Sequence, residues 1–200
     1  MAQDGNLALD EAAKALPAAT YTVWTGLPTV PREQDPLPGF GPPSPRLRGV
    51  RLFPQSHRYQ LSPWVVGQLC EWCIAYGLPL FLWHVEIRWN DVHALATAFP
   101  RLNIVIETQW QKILYHIRDL FSLMGACGNV LVESSNFIGQ DHVSYLVRNF
   151  GAERLLFGSF LPVNDPYAAL GTVLDADISQ AEKQQIAGGN LQKLIAEVQP

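Results

Sequence analysis

The chain has 200 residues, of which 48% are hydrophobic, and its formal net charge is −4. This length and composition suit one domain, spanning residues 1–200, with a substantial core. No run of basic residues supports a nucleic-acid or anionic-membrane surface. Three cysteines are an odd number, which argues against a disulfide framework. The acidic N-terminus lacks a signal-peptide pattern and no stretch suits a bilayer, so we expect a cytoplasmic protein.

Short apolar segments alternate with helical patterns along the chain. The segments predicted as strands are residues 20–24, 49–53, 79–85, 103–107, 129–133 and 155–159. Between them, apolar residues recur at helical spacing, as in the stripe formed by Ile113, Ile117 and Leu120. This alternation predicts a parallel sheet with helical crossovers. Ser179 with Glu182 predicts a capping box for a late helix.

A proline-rich excursion at residues 28–45 follows the first predicted strand. Its seven prolines exclude a regular helix or an interior strand. We expect a long surface segment that acts as a lid or contacts another chain.

Cys70 and Cys73 form a C-x-x-C sequence, a spacing shared with redox motifs. A redox pair would follow a strand and open a helix, whereas these cysteines fall within an apolar helical stripe with Val66, Leu69 and Ile74. We therefore expect both thiols to pack in the core.

Two architectures fit this pattern, an open doubly wound sheet and a (β/α) barrel. No G-x-G-x-x-G sequence or Walker loop follows a predicted strand, which disfavours the nucleotide-binding forms of the open sheet. A barrel needs eight strands, so the count leaves this chain about two short. In both architectures ligands bind at the C-terminal ends of the strands, which places residues 158–162 at the mouth of any site.

Six segments in a fixed order resemble motifs of the amidohydrolase-related family, the metal-dependent hydrolase superfamily barrels that include aminocarboxymuconate semialdehyde decarboxylase. The segments are GVRLFP (49–54), LPLFLWHVE (78–86), FPRLNIVIE (99–107), GNVLVESS (128–135), FGAERLLFGSFLP (150–162) and IAGGNLQKLI (186–195). The resemblance implies a partial TIM-type (β/α) barrel made of the family's third to eighth strands, without the first two. It also implies a hydrolase or non-oxidative decarboxylase that acts on a small polar or carboxylated substrate.

The same resemblance implies one divalent metal ion, Zn or Mn. His84 matches the family's strand-five histidine ligand, whereas Thr108 and Phe160 stand where the family has a histidine and an aspartate. A hydrolytic metal needs about three protein ligands. A site with one metal ion and a chain without metal therefore both stay open.

Polar residues near the predicted strand ends are candidate site residues. His84 and Glu86 are two residues apart and are predicted to project from the same side and act in catalysis. The alternative is a packed histidine that bonds to a backbone carbonyl. Arg51, His57 and Arg58 are predicted to hold a substrate carboxylate, the alternative being solvated loop charges.

Asn136 and Ser159 supply amide and hydroxyl groups at the same rim and are further substrate-binding candidates. Glu107 and Glu133 each end a strand, where paired carboxylates do acid–base work if one is desolvated. Because Thr108 matches an inward-pointing position, alternation along the strand predicts that Glu107 points away from the barrel.

Two functions stay open. The first is an amidohydrolase-like enzyme that acts on a small molecule through His84, Glu86, Arg51 and His57. The second is a catalytically degenerate, truncated barrel that binds a ligand or a partner chain. An arc of six strands leaves two unpaired edges and an open core, which another subunit, as in a homo-oligomer, or a partner chain would cover.

Overall fold

The computed structural model describes residues 2–28, 43–111, 113–137, 139 and 141–199. Within this part of the chain, six strands form one parallel sheet and pair in chain order. The strands are β1 (Thr22–Thr25), β2 (Leu47–Leu52), β3 (Leu80–Trp83), β4 (Ile104–Glu107), β5 (Val130–Glu133) and β6 (Leu155–Leu156). The predicted strands are confirmed, and their arrangement is that of a partial (β/α) barrel.

One α-helix precedes β1, one α-helix lies in each connection from β2 to β6, and three α-helices follow β6 in the described part of the chain. They are α1 (Ala2–Ala13), α2 (Pro63–Ala75), α3 (Trp89–Ala98), α4 (Ile117–Ala126), α5 (His142–Phe150), α6 (Pro166–Leu174), α7 (Gln180–Gln184) and α8 (Asn190–Ala196). The predicted capping box of Ser179 and Glu182 is confirmed at the start of α7. Gly151 ends α5 with a φ of 91°, a conformation that glycine adopts without strain. In the part of the chain that the structure describes, no helix has the length and apolar character to cross a membrane.

Strand residues alternate between a helix-facing layer and a concave inner face. The helix-facing side chains belong to the main core and are Val50, Leu52, Leu80, Leu82, Ile104, Ile106, Val130, Val132 and Leu155. On the inner face, Val105, Leu131 and Leu156 pack against Leu194 of α8. Both faces of the sheet are therefore covered, as its continuous apolar strands require.

The edge of the sheet at β1 is covered by α1. The side-chain amide of Asn6 donates to the Thr25 carbonyl at 2.9 Å, and its oxygen accepts from the Thr25 backbone N–H at 2.9 Å. Asp10 accepts from the Thr22 hydroxyl and the Trp24 indole. The carboxamide of Asn6 thus takes the place of a neighbouring strand at Thr25, which limits further strand pairing there.

The proline-rich excursion predicted at residues 28–45 falls mainly on residues 29–42, which lie outside the described residues. Its role as a lid or an interchain contact stays a prediction.

The expectation that Cys70 and Cys73 pack in the core is confirmed. Both side chains are fully buried in α2. Burial raises the pKa of the Cys70 thiol to about 12 and also raises the pKa of Cys73. Thiols held in this protonated form are poor nucleophiles.

Candidate functional site

A cavity of about 610 Å³ lies on the inner face of the sheet and extends to the strand C-terminal ends. Its apolar and aromatic lining consists of Tyr21, Val23, Phe81, Leu156, Phe157, Phe160, Leu161, Leu191 and Ile195. Its polar side chains are Arg48, Arg51, Glu107, Gln109, Glu133 and Ser159. Ligands of parallel α/β folds bind at this end of the sheet, so we treat this space, the central cavity, as the candidate site.

Two arginines of β2 line the central cavity although they are three residues apart. Regular alternation would place Arg48 and Arg51 on opposite faces of the sheet. The pairing register between β1 and β2 shifts within residues 47–50 of β2, as it does at a β-bulge. Such an irregularity changes the direction in which side chains point. Here it places both guanidinium groups on the cavity side of the sheet.

Arg51 and Glu107 form a bidentate ion pair at the cavity wall. Arg51 Nε donates to Glu107 Oε2 at 2.8 Å, and Nη2 donates to Oε1 at 2.5 Å. Burial raises the pKa of Glu107, the charge and hydrogen bond of Arg51 oppose this shift, and Glu133 adds to it. The prediction that Glu107 points away from the barrel is wrong, because Glu107 shares the inner face of β4 with Val105.

Glu133 connects the loops that follow β4 and β5 and lies close to the loop that follows β6. Its carboxylate accepts hydrogen bonds from the Thr108 backbone N–H and hydroxyl, and from the Ser135 backbone N–H and hydroxyl at 2.8 Å each. A Cβ atom at Gly158, which follows β6, would overlap Glu133 Oε2. Both carboxylate oxygens therefore have hydrogen-bond partners. Because the chain after β6 passes so close to Glu133, only glycine fits at position 158.

His84 follows β3 and does not line the central cavity. Its Nδ1 lies 3.0 Å from the Glu107 carbonyl oxygen, which only accepts, so Nδ1 carries the proton. Nε2 is buried and has no hydrogen-bond partner within the described residues. Burial lowers the pKa of His84, the bond to the carbonyl opposes this, and His116, 6.2 Å away between ring centroids, adds to it. Trp83, in register with Glu107, takes the inward position at the end of β3.

Glu86 shares no hydrogen bond with His84 in the described part of the chain. It accepts instead from the Ser56 backbone N–H at 2.9 Å and the Ser56 hydroxyl at 2.5 Å. Arg58 lies with Glu86 in a separate surface cavity of about 300 Å³. His57 is exposed, with its ring edge-on to Phe53.

Of the substrate-binding residues predicted at the rim, Ser159 lines the central cavity, as Arg51 does. The Asn136 side chain donates to the carbonyls of Trp110 and Gln111, which fixes the loop after β4. The structure thus brings Arg51 and Ser159 together and leaves His84, Glu86, His57 and Arg58 outside the cavity. Their predicted catalytic and binding roles stay predictions.

Sequence reasoning missed Arg48 and Tyr21. The Arg48 guanidinium carbon lies 4.6 Å from the centroid of the Tyr21 ring, a cation–π contact. Tyr21 immediately precedes β1, and Arg48 faces the cavity only through the register shift. Neither feature has a signal in the sequence.

The residues present do not fit a metal centre of the kind that the resemblance implies. Among the ranges that the structure describes, no three His, Cys, Asp or Glu side chains are placed to hold an ion. Glu107 is bound by Arg51, and both oxygens of Glu133 accept from uncharged donors. Thr108 donates its hydroxyl to Glu133, and Phe160 has no donor atom for a metal.

A family model described as amidohydrolase (Amidohydro_2) matches residues 42–195, more than three quarters of the chain. The chain belongs to the amidohydrolase family. This match confirms the family resemblance that the six sequence segments predict. A comparison with curated proteins found no match.

Solved structures of other proteins share the fold of this chain. An uncharacterized TIM-barrel protein from Bordetella bronchiseptica is 17% identical with a TM-score of 0.73, covering 96% of this chain and 72% of that chain. A 5-carboxyvanillate decarboxylase from Sphingomonas paucimobilis is 15% identical with a TM-score of 0.67, covering 99% and 72%. An amidohydrolase from Burkholderia multivorans with bound zinc is 16% identical with a TM-score of 0.65, covering 97% and 79%. At these identities the likeness concerns the fold alone.

Proposed function

We propose that the protein binds a small carboxylated molecule in the central cavity, with Arg48 as the main anion-binding group. The observation that carries this proposal is that the Arg48 guanidinium lines the cavity without an ion-pair partner in the described part of the chain. Within the described residues, its Nη1 alone forms hydrogen bonds, to the carbonyls of Pro45 at 2.9 Å and Leu47 at 2.7 Å. In that part of the chain Nε and Nη2 have no partner, and together they can bind a carboxylate through two hydrogen bonds.

Two arginines and two glutamates line the cavity, so their formal charges sum to zero. The negative charge of Glu107 is balanced by Arg51, and that of Glu133 is stabilised by four hydrogen bonds. Because these two carboxylates have partners, the guanidinium of Arg48 is the charge in the cavity that a ligand can neutralise.

Membership of the amidohydrolase family supports a hydrolase or non-oxidative decarboxylase acting on such a molecule. The Sphingomonas neighbour is, by its name, a decarboxylase of a carboxylated compound. Such an enzyme is the first candidate function. Glu107 stays a carboxylate in it, because both of its oxygens accept from the Arg51 guanidinium.

The second candidate function is binding of the carboxylated molecule without turnover. It is favoured by Trp83, Thr108 and Phe160, because none of these side chains at the strand ends is a metal ligand of the usual kind. Because the Burkholderia neighbour has bound zinc, binding of a divalent ion by this chain stays a proposal that rests on family resemblance. Assays of ester, amide and aromatic-acid substrates with and without added Zn or Mn separate the two, since only an enzyme forms product.

Arg48→Met tests the anion site. We expect the Kd of a carboxylate such as 3-phenylpropanoate to rise about 10- to 100-fold, the loss expected for a hydrogen bond to a charged group. The Kd of the matching amide, 3-phenylpropanamide, should change little. Isothermal titration calorimetry measures both ligands.

Arg101→Met is the control, because Arg101 is exposed on the loop between α3 and β4. It should bind both compounds as the unmodified protein does. Equal affinity for acid and amide, or full carboxylate affinity in Arg48→Met, would contradict the proposal.

A further inference from the structure

Two aromatic side chains meet at the mouth of the central cavity. Trp110 lies on the loop after β4 and Phe160 on the loop after β6, and their ring centroids are 6.3 Å apart at an interplanar angle of 71°. Phe160 lines the cavity, and Trp110 is 65% exposed. An indole left largely in solvent beside the cavity offers an aromatic surface to a ligand.

Both residues of this aromatic pair have a backbone conformation that bulky side chains avoid. The φ angle is 65° at Trp110 and 51° at Phe160. Such conformations persist where the surrounding structure holds them. Here Asn136 donates to the Trp110 carbonyl, and the Phe160 carbonyl accepts from the backbone N–H groups of Val163 and Asn164. The backbone that carries the two rings is therefore held in place before a ligand arrives.

The anion-binding group lies at the opposite end of the cavity. Arg48 is the second residue of β2, whereas Trp110 and Phe160 follow the C-terminal ends of β4 and β6. The Arg48 guanidinium is held near the start of β2 by the carbonyls of Pro45 and Leu47. A ligand that reaches both Arg48 and the aromatic pair therefore needs a carboxylate and a flat apolar group at its two ends.

We propose that the Trp110–Phe160 pair binds the ring of an arylalkanoic acid whose carboxylate reaches Arg48. This inference rests on the proposed carboxylate binding and adds the shape of the molecule. Benzoate is too short to contact both ends, and an aliphatic acid lacks the ring.

Calorimetric titration of three acids tests the inference. We expect 6-phenylhexanoate to bind at least about 3-fold more tightly than either benzoate or hexanoate, because its ring adds one aromatic contact. In Trp110→Leu and in Phe160→Leu, this preference should disappear, because only the phenyl acid loses affinity. Trp64→Leu is the matched control, since Trp64 is 80% exposed on α2 and does not line the cavity.

The result that overturns the inference is equal binding of the three acids, or a preference for the phenyl acid that survives in Trp110→Leu or Phe160→Leu. If one of these two variants does not fold, the other decides. Failure of the proposed function is distinguishable, because Arg48→Met would then leave the binding of all three acids unchanged.

Discussion

Arg51→Met is expected to lower the free energy of unfolding by about 2–4 kcal/mol, because the variant leaves one member of a buried ion pair without its partner. The Glu107 carboxylate is 4% exposed, and Glu133 lies on the same inner face. Without Arg51, the pKa of Glu107 rises further, since the charge that lowers it is gone. Chemical denaturation at pH 7.5 measures the loss. The loss should shrink as the pH falls, because a protonated Glu107 needs no partner.

The double variant Arg51→Met with Glu107→Leu is the control for this prediction. It removes both charges, so most of the stability should return. Arg101→Met should change the free energy of unfolding by less than about 0.5 kcal/mol, as is usual for exposed positions. A double variant as unstable as Arg51→Met alone would contradict the account of the ion pair.

Glu133→Ala is expected to cost about 3 kcal/mol of stability, because buried donors on two loops lose their acceptor at once. The donors are the backbone N–H groups of Thr108 and Ser135 and the Ser135 hydroxyl, whereas the Thr108 hydroxyl retains the Glu133 carbonyl as an acceptor. Glu133→Gln retains one acceptor oxygen and should lose roughly half as much. Thermal and chemical denaturation measure both variants.

Glu71→Ala is the matched control for Glu133→Ala, since Glu71 is exposed on α2. It should leave stability nearly unchanged. If Glu133→Ala is as stable as Glu71→Ala, Glu133 does not connect the strand ends in the way that its hydrogen bonds indicate.

The sheet could be predicted from the sequence because its signals are local. Apolar runs bounded by glycine and proline marked the strands, and apolar spacing marked the helices between them. The capping box of Ser179 and Glu182 follows from side-chain chemistry over four residues. Burial of Cys70 and Cys73 likewise followed from their helical stripe.

The site could be predicted only in part because its geometry depends on pairing between strands. Arg51 and Ser159 were placed at the cavity by their positions near strand ends. Arg48 faces the cavity through a register shift against β1, which no local pattern reveals. Glu107 was assigned to the wrong face because alternation was counted from Thr108, which lies beyond the end of β4.

The aromatic pair was also beyond sequence reasoning. Trp110 and Phe160 are 50 residues apart, and they meet because the loops after β4 and β6 cross the end of β5. The positive φ angles that bring them together belong to residues that seldom adopt them. The hydrogen bonds from Asn136 that fix one loop come from a third strand end.

The measurement that tests the central claim most directly is the titration of 3-phenylpropanoate into the protein after dialysis against EDTA, and again with added zinc. If the Arg48 guanidinium binds the carboxylate and no metal ion takes part, the Kd should be the same in both samples. The account would be contradicted if the acid bound only when zinc was present, because a metal ion rather than the Arg48 guanidinium would then hold the carboxylate.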